Sequence, residues 1–139
     1  MIELAFSAMV MVTCLSGTFQ FGYTFYIYNQ LVTAVGNGGR YAATRTVRAE
    51  PEQAEKAIRN MVVYGDAQPA QDAQPVVAGL TPEQVEVNYV KDAAGAPAAV
   101  GVAIREYRVN AVFKTFTFTG RPGVEFPFVG KYSPAEHEQ

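Results

Sequence analysis

The stretch from Leu4 to Gly39 contains no Asp, Glu, Lys or Arg, although charged residues make up 17% of the whole chain. Glu3 precedes this run and Arg40 follows it. A helix rises about 1.5 Å per residue and roughly 20 helical residues cross a hydrocarbon core, so Leu4 to about Ile27 is long enough to span a membrane. A run this long and apolar must be hidden from water, in a membrane, against a partner or in a protein core.

The two halves of the uncharged run differ in character. Residues 4–15 show no helical polar stripe and are apolar on all sides, which is not typical of a soluble surface helix. In the second half, aromatic residues alternate with polar or small ones; the aromatic members are Phe19, Phe21, Tyr23, Phe25, Tyr26 and Tyr28. This mixed surface fits burial against other protein at least as well as burial in lipid.

Glu3 lies at the tip of this apolar segment. A carboxylate in that position is costly to dehydrate and usually has a partner. The nearest candidate cation is an α-amino group, either that of the same chain or that of a neighbouring copy. The alternative is that Glu3 lies in the headgroup layer at the end of a membrane span.

Four sequence segments together carry a resemblance to a known family. They are ELAF at 3–6, GTFQFG at 17–22, FYIYNQL at 25–31 and GRYAA at 39–43. In this order and spacing they resemble the TadE-like pilins, small pseudopilin-type subunits of tight-adherence pili within the type IV pilin class. The resemblance covers about the first third of the chain. Gln20 stands where the family usually has an acid, and the N-terminal acid is at position 3, where type IV pilins usually have it at the fifth residue.

The resemblance implies a structural subunit that polymerises through its N-terminal helix into an extracellular filament used for adhesion. Its implied partners are further copies of the chain in a helical filament, the inner membrane before assembly, and the pilus assembly machinery. The unassembled subunit would lie in the inner membrane and the assembled one at the cell surface. Subunit contacts are expected at Met1, Glu3, Leu4, Phe6, Met9, Leu15, Phe19, Phe21, Phe25 and Tyr28, with Glu3 pairing with the α-amine of a neighbouring Met1.

Two other functions fit the same pattern. The chain is alternatively a minor or assembly pseudopilin of the tight-adherence machinery, or a monomeric membrane-anchored domain that binds a partner through its sheet. No basic leader ending in Gly precedes the apolar run, so we expect either a processed product or a chain that lacks its first residues. Arg40, Arg45 and Arg48 would place the head in the cytoplasm by the positive-inside rule, whereas the resemblance to pilins implies the opposite orientation.

Composition narrows the remaining classes of function. With 139 residues and a net charge of -2, one domain is expected, and the absence of a basic stripe argues against a nucleic-acid partner. Cys14 is the single cysteine, so it cannot form an internal disulfide, and we interpret it as a small apolar residue of the helix.

The first helix is predicted to run from near Ile2 to about Val47, with weak points at Gly17 and Gly22. The segment 36–39, Gly-Asn-Gly-Gly, is predicted to continue or bend the helix, because residues without side chains let a sheet or another subunit press on the backbone. We divide the chain into a transmembrane or filament-core helix, residues 1–47, and a globular head, residues 48–139.

The head is predicted to be a short helix followed by a small sheet, an α+β class. A second helix begins around Pro51 and stops at Gly65, and a Pro-containing loop covers 66–75. Alternation predicts a strand at Val85, Val87 and Tyr89, a long run from 100 to 118 with a one-residue bulge near Arg105 or Glu106, and an edge strand at 124–128. The result is three or four antiparallel strands and a frayed polar tail, 133–139.

No catalytic constellation can be assembled from these residues. His137, the single histidine, lies in the terminal tail between two glutamates, so a zinc site or a His-based catalytic pair lacks parts. The carboxylate pairs Glu50 with Glu52 and Glu136 with Glu138 are expected to be solvated. We therefore expect no enzyme, no cofactor and no metal.

Overall fold

The computed structural model describes residues 2–45, 51–93, 95–110 and 115–131. Two α-helices come first, α1 (Ile2–Thr44) and α2 (Pro51–Tyr64), and a short 3-10 helix follows at Pro82–Gln84. Five strands complete the described chain: β1 (Val85–Lys91), β2 (Pro97–Ile104), β3 (Tyr107–Asn110), β4 (Thr115–Phe118) and β5 (Gly123–Pro127). Helices followed by antiparallel strands confirm the α+β class.

α1 is one unbroken helix that passes through the glycine-rich segment, as the sequence predicted. A Cβ on Gly38 would overlap the Val62 side chain of α2, and one on Gly39 would lie 2.8 Å from Val124 Cγ2 of β5. These two glycines therefore bring the helix axis close to both α2 and the sheet. Gly36 has no atom within 4 Å of such a Cβ, so it faces away from the head. The helix ends at Thr44; residues 46 and 47, where its end was predicted, lie outside the described residues.

α2 is amphipathic and lies on the head, which confirms the second predicted helix. Its apolar face buries Ile58, Val62 and Val63, at most 1% exposed. The helix stops where Gly65 adopts a φ of 73°, a left-handed conformation that favours glycine. The Gly65 N–H donates to the carbonyl of Met61, and residues 66–75 then form the predicted irregular loop.

The strands form two antiparallel sheets. The larger has the order β1-β2-β5, with Val87 opposite Val102 and Val102 opposite Val124. β5 is an edge strand, as its Pro127 predicted, and β3 pairs with β4 in a separate two-stranded sheet.

The bulge predicted near Arg105 or Glu106 is wrong. The inward-facing positions change from even to odd residue numbers because the chain leaves one sheet after Ile104 and enters the other at Tyr107. The Arg105 N–H donates to the Gln84 carbonyl at 2.7 Å, which holds the chain at this crossing. The inward residues on either side, Ile104 and Tyr107, are both buried. Residues 111 and 113 of the same predicted run, and the tail 133–139, lie outside the described residues.

The core is formed where the second half of α1 packs against α2, β2 and β5. From α1 it contains Ile27, Leu31, Ala34, Val35, Ala42 and Ala43. The Val129 N–H donates to the Ala43 carbonyl at 3.0 Å, which ties the segment after β5 to the end of the helix. The second half of α1 is therefore an integral part of the head's core, and the division of the chain at residue 47 stays a prediction.

Candidate subunit interface on the first helix

The first half of α1 projects from the head with its apolar side chains uncovered. We call Ile2–Tyr26 the rod; at 1.5 Å per residue it is about 37 Å long, against about 30 Å for a hydrocarbon core. Its large hydrophobic side chains lie on every side of the helix. The predicted contact residues among them are 65% to 78% exposed: Leu4, Phe6, Met9, Leu15, Phe19, Phe21 and Phe25. A surface of this kind is stable only when lipid or protein covers it.

The three other predicted contact residues are placed differently. Glu3 is exposed in the first turn of α1, and Met1, its predicted partner in a second copy, lies outside the described residues. Tyr28 is half-buried, and its ring lies 5.5 Å from that of Phe118 in β4. Tyr28 therefore already packs in part against the head of its own chain. Contact with another copy stays a prediction for all ten residues.

Threonine hydroxyls in the rod are hydrogen-bonded to the rod's own backbone. Thr13 donates to the Met9 carbonyl at 2.9 Å, and Thr18 donates to the Cys14 carbonyl at 3.0 Å. Thr24 bonds the Gln20 carbonyl in the same way, at 2.9 Å. A hydroxyl with a local acceptor can enter an apolar environment at much lower cost. These threonines were not among the predicted site residues; their signal in the sequence is their position inside an uncharged helical run.

α1 is long and apolar enough, by length and composition, to cross a membrane. Its most apolar 18-residue window has a mean hydropathy of 1.6 and is 0% buried within the chain. That complete exposure separates the window from the buried core helix of a soluble protein, which has a similar composition. The helix is thus consistent with membrane anchoring.

A groove of about 290 Å³ lies where the rod enters the head, between α1 and α2. Its α1 wall includes Tyr26, Thr33 and Asn37, and its opposite wall includes Met61, Gly65 and Val76. The full set of α1 lining residues recurs three and four residues apart, so it forms one stripe along about three turns: Tyr26, Asn29, Gln30, Thr33, Ala34 and Asn37. We call this feature the α1–α2 groove. Most of its surface is apolar, and none of its lining side chains is charged.

In the described part of the head, three groups have a clearly shifted pKa. Burial raises the pKa of Tyr107, whose hydroxyl donates to the Ala78 carbonyl at 2.7 Å. Burial, with a smaller effect of the Glu55 carboxylate, raises the pKa of Tyr89. Hydrogen bonds from its backbone and from Thr81 lower the pKa of Glu83, an exposed residue. Within the described ranges, no group of three or more His, Cys, Asp or Glu side chains could hold a metal ion.

Comparison with known proteins identifies the N-terminal segment. Residues 1–40 match the family model described as TadE-like protein. No significant match to the chain was found among curated proteins or among solved structures. The matched segment contains the rod and the α1 wall of the α1–α2 groove, whereas α2 and the sheets lie outside it. The match confirms the predicted resemblance of the first 40 residues to TadE-like proteins, a family associated with pili.

Proposed function

We propose that this chain is a structural pilin subunit that polymerises through α1 into an extracellular, type IV pilus-like filament for surface attachment. The observation that carries the proposal is the rod: an apolar helix, uncharged from Leu4 onward, whose side chains are exposed and which joins a packed head without a break. The TadE-like match over the same residues supports it. A structural role without catalysis is part of this proposal.

From Leu4 onward, the rod can exchange lipid for protein without dehydrating a charged side chain. In the inner membrane, lipid covers the rod, and its backbone and threonine hydroxyls are hydrogen-bonded within the helix. In the filament, rods of other copies replace the lipid, which leaves the apolar environment nearly unchanged. The pilus assembly machinery would extract the helix from the membrane and determine the order in which subunits are added.

Glu3 would set the axial register of the copies. A buried carboxylate without a partner is strongly unfavourable, so the offset that brings it to the α-amine of a neighbouring Met1 is favoured over others. The exposed position of Glu3 in the first turn of α1 is compatible with such a contact. In this proposal residues 1–47 form the membrane and filament-core helix, and residues 48–139 form the head displayed outside.

The test is the composition of surface fibres. Cells that make the chain are sheared, and the released fibres are imaged and analysed by mass spectrometry. The proposal requires this chain to be the main protein of the fibres. A small, substoichiometric amount would favour a minor or assembly pseudopilin. Complete absence from fibres, with the chain monomeric in detergent, would favour a membrane-anchored binding domain.

A further inference from the structure

We propose that the α1–α2 groove is the site at which residues 4–15 of a second copy dock. The inference rests on the proposed function, because it names the partner surface for the rod. The groove extends along about three turns of α1, from Tyr26 to Asn37, and the 4–15 segment has the same length. Both surfaces are free of charge, so their contact buries no ionised side chain.

The rod of the same chain cannot fill this groove. α1 is continuous from Ile2 to Thr44, so the rod extends away along the axis of the helix that forms the groove's own wall. Reaching the groove would require the helix to break and reverse. A helical segment that enters the groove must therefore come from another molecule.

Residues 4–15 fit the groove better than the second half of the rod. Every side chain in this segment is exposed, and Phe6 is its only aromatic residue. The part from Phe19 to Tyr26 carries closely spaced rings, which would separate it from the groove floor at Ala34 and Gly65. The segment 4–15, with one ring and flexible methionine and leucine side chains, can approach both walls more closely.

Three of the polar side chains of the groove are compatible with this occupant. Thr33 already donates to the Asn29 carbonyl at 3.0 Å, and Asn29 and Asn37 are exposed at the rim, where their amides can stay hydrated. Val76, on the opposite wall, is 50% exposed, so an occupant would cover apolar surface that the head leaves open. Tyr26, 58% exposed, belongs both to the rod and to the groove and makes the two surfaces continuous.

The contact defines an axial displacement. Two copies that leave the same membrane have parallel helices, so Leu4 of one copy comes level with Tyr26 of the other, and Leu15 comes level with Asn37. That offset of 22 positions corresponds to about 33 Å at 1.5 Å per residue. The copy that fills the groove is therefore a different neighbour from the one whose Met1 α-amine pairs with Glu3, because that pairing brings the two N-termini level.

The experiment uses the full chain in cells that assemble fibres. Val76→Asp places a charge on the groove wall, and Val90→Asp places the same charge on β1, where Val90 is 49% exposed and outside the groove. We expect Val76→Asp to lower the amount of chain in sheared fibres at least tenfold, with an unchanged amount in the membrane and an unchanged melting temperature. Val90→Asp should assemble like the unsubstituted chain. Equal assembly of the two variants would overturn the inference.

Cross-linking identifies the occupant directly. A photo-reactive benzophenone amino acid replaces Val76 in one variant and Val90 in another, and fibres are irradiated. From position 76 we expect dimers whose cross-linked peptide lies within residues 4–15. Adducts only with lipid, with another protein or with a different segment of the second copy would overturn the inference. If the unsubstituted chain itself is absent from fibres, the proposed function fails, which is a separate result.

Discussion

Gly38 of α1 faces Val62 of α2 so closely that a Cβ on Gly38 would overlap the Val62 Cγ2 methyl group. Val62 is fully buried, so its side chain has little room to move away. The two helices therefore meet at a separation that only glycine at position 38 permits. Glycine destabilises a helix by about 1 kcal/mol relative to alanine, and the close packing of α2 on α1 offsets this loss.

Gly38→Ala should destabilise the head. Relief of the overlap requires α2 to shift or Val62 to leave its rotamer, and overpacking of this kind typically costs about 1–3 kcal/mol. Gly36→Ala, two positions away on the same helix, adds a methyl group where no atom lies within 4 Å, so it should leave stability unchanged or raise it by up to about 1 kcal/mol. Chemical unfolding of the detergent-solubilised chain measures both. Equal stability of the two variants would show that the helices can separate freely.

Two tyrosines of the head provide a second matched pair. The Tyr107 hydroxyl donates to the Ala78 carbonyl, whereas the buried Tyr89 hydroxyl has no hydrogen-bond partner within the described residues. Tyr107→Phe should lower the free energy of unfolding by about 1 kcal/mol, because the Ala78 carbonyl loses its donor. Tyr89→Phe should be neutral or slightly stabilising, because it removes a polar atom that burial leaves unpaired. Thermal unfolding of both variants tests the difference, and a larger loss from Tyr89→Phe would contradict it.

The same tyrosines predict a loss of stability in alkali. Burial raises the pKa of both hydroxyls above the ordinary value of about 10, so the folded head holds these protons more tightly than the unfolded chain does. Their contribution is fully present below the unfolded pKa and is lost as the pH rises through the folded pKa values. The free energy of unfolding should therefore fall from about pH 10 upward. In a chain with both Tyr89→Phe and Tyr107→Phe, this decline should be shallower. An equally steep decline would assign it to other groups.

The sequence predicted the long helix well because its signal is local. An uncharged run with apolar residues on all sides has few ways to avoid water, and the glycines at 38 and 39 marked a close approach before their neighbours were known. The helix and strand order of the head followed from periodicity and from the helix boundaries at Pro51 and Gly65. These features depend on nearest neighbours along the chain.

The division into two sheets could not be predicted in this way. Inward-facing apolar residues alternate almost continuously from 100 to 110. A bulge at Arg105 explains their change from even to odd positions as well as a change of sheet does. The difference is decided by distant partners, the Gln84 carbonyl for Arg105 and the Pro122 carbonyl for Ile104. The α1–α2 groove was missed for a similar reason, since its walls come from residues far apart in sequence, such as Thr33 and Val76.

Glu3 provides a test of the register of the proposed filament. Glu3→Gln keeps the size of the side chain but removes its charge, so a neighbouring α-amine would be left without its carboxylate. Loss of 1.4 kcal/mol per contact changes an equilibrium about tenfold, and a buried ion pair that loses one partner typically loses more. We therefore expect Glu3→Gln to stay in the membrane at the normal level and to reduce fibre yield at least tenfold.

The control is Glu125→Gln, which makes the same chemical change at an exposed carboxylate on β5 and should assemble normally. Quantitative mass spectrometry of membranes and sheared fibres measures both quantities. Normal fibre yield from Glu3→Gln would remove the register role, and the rod's apolar packing would then have to fix the offset between copies by shape alone.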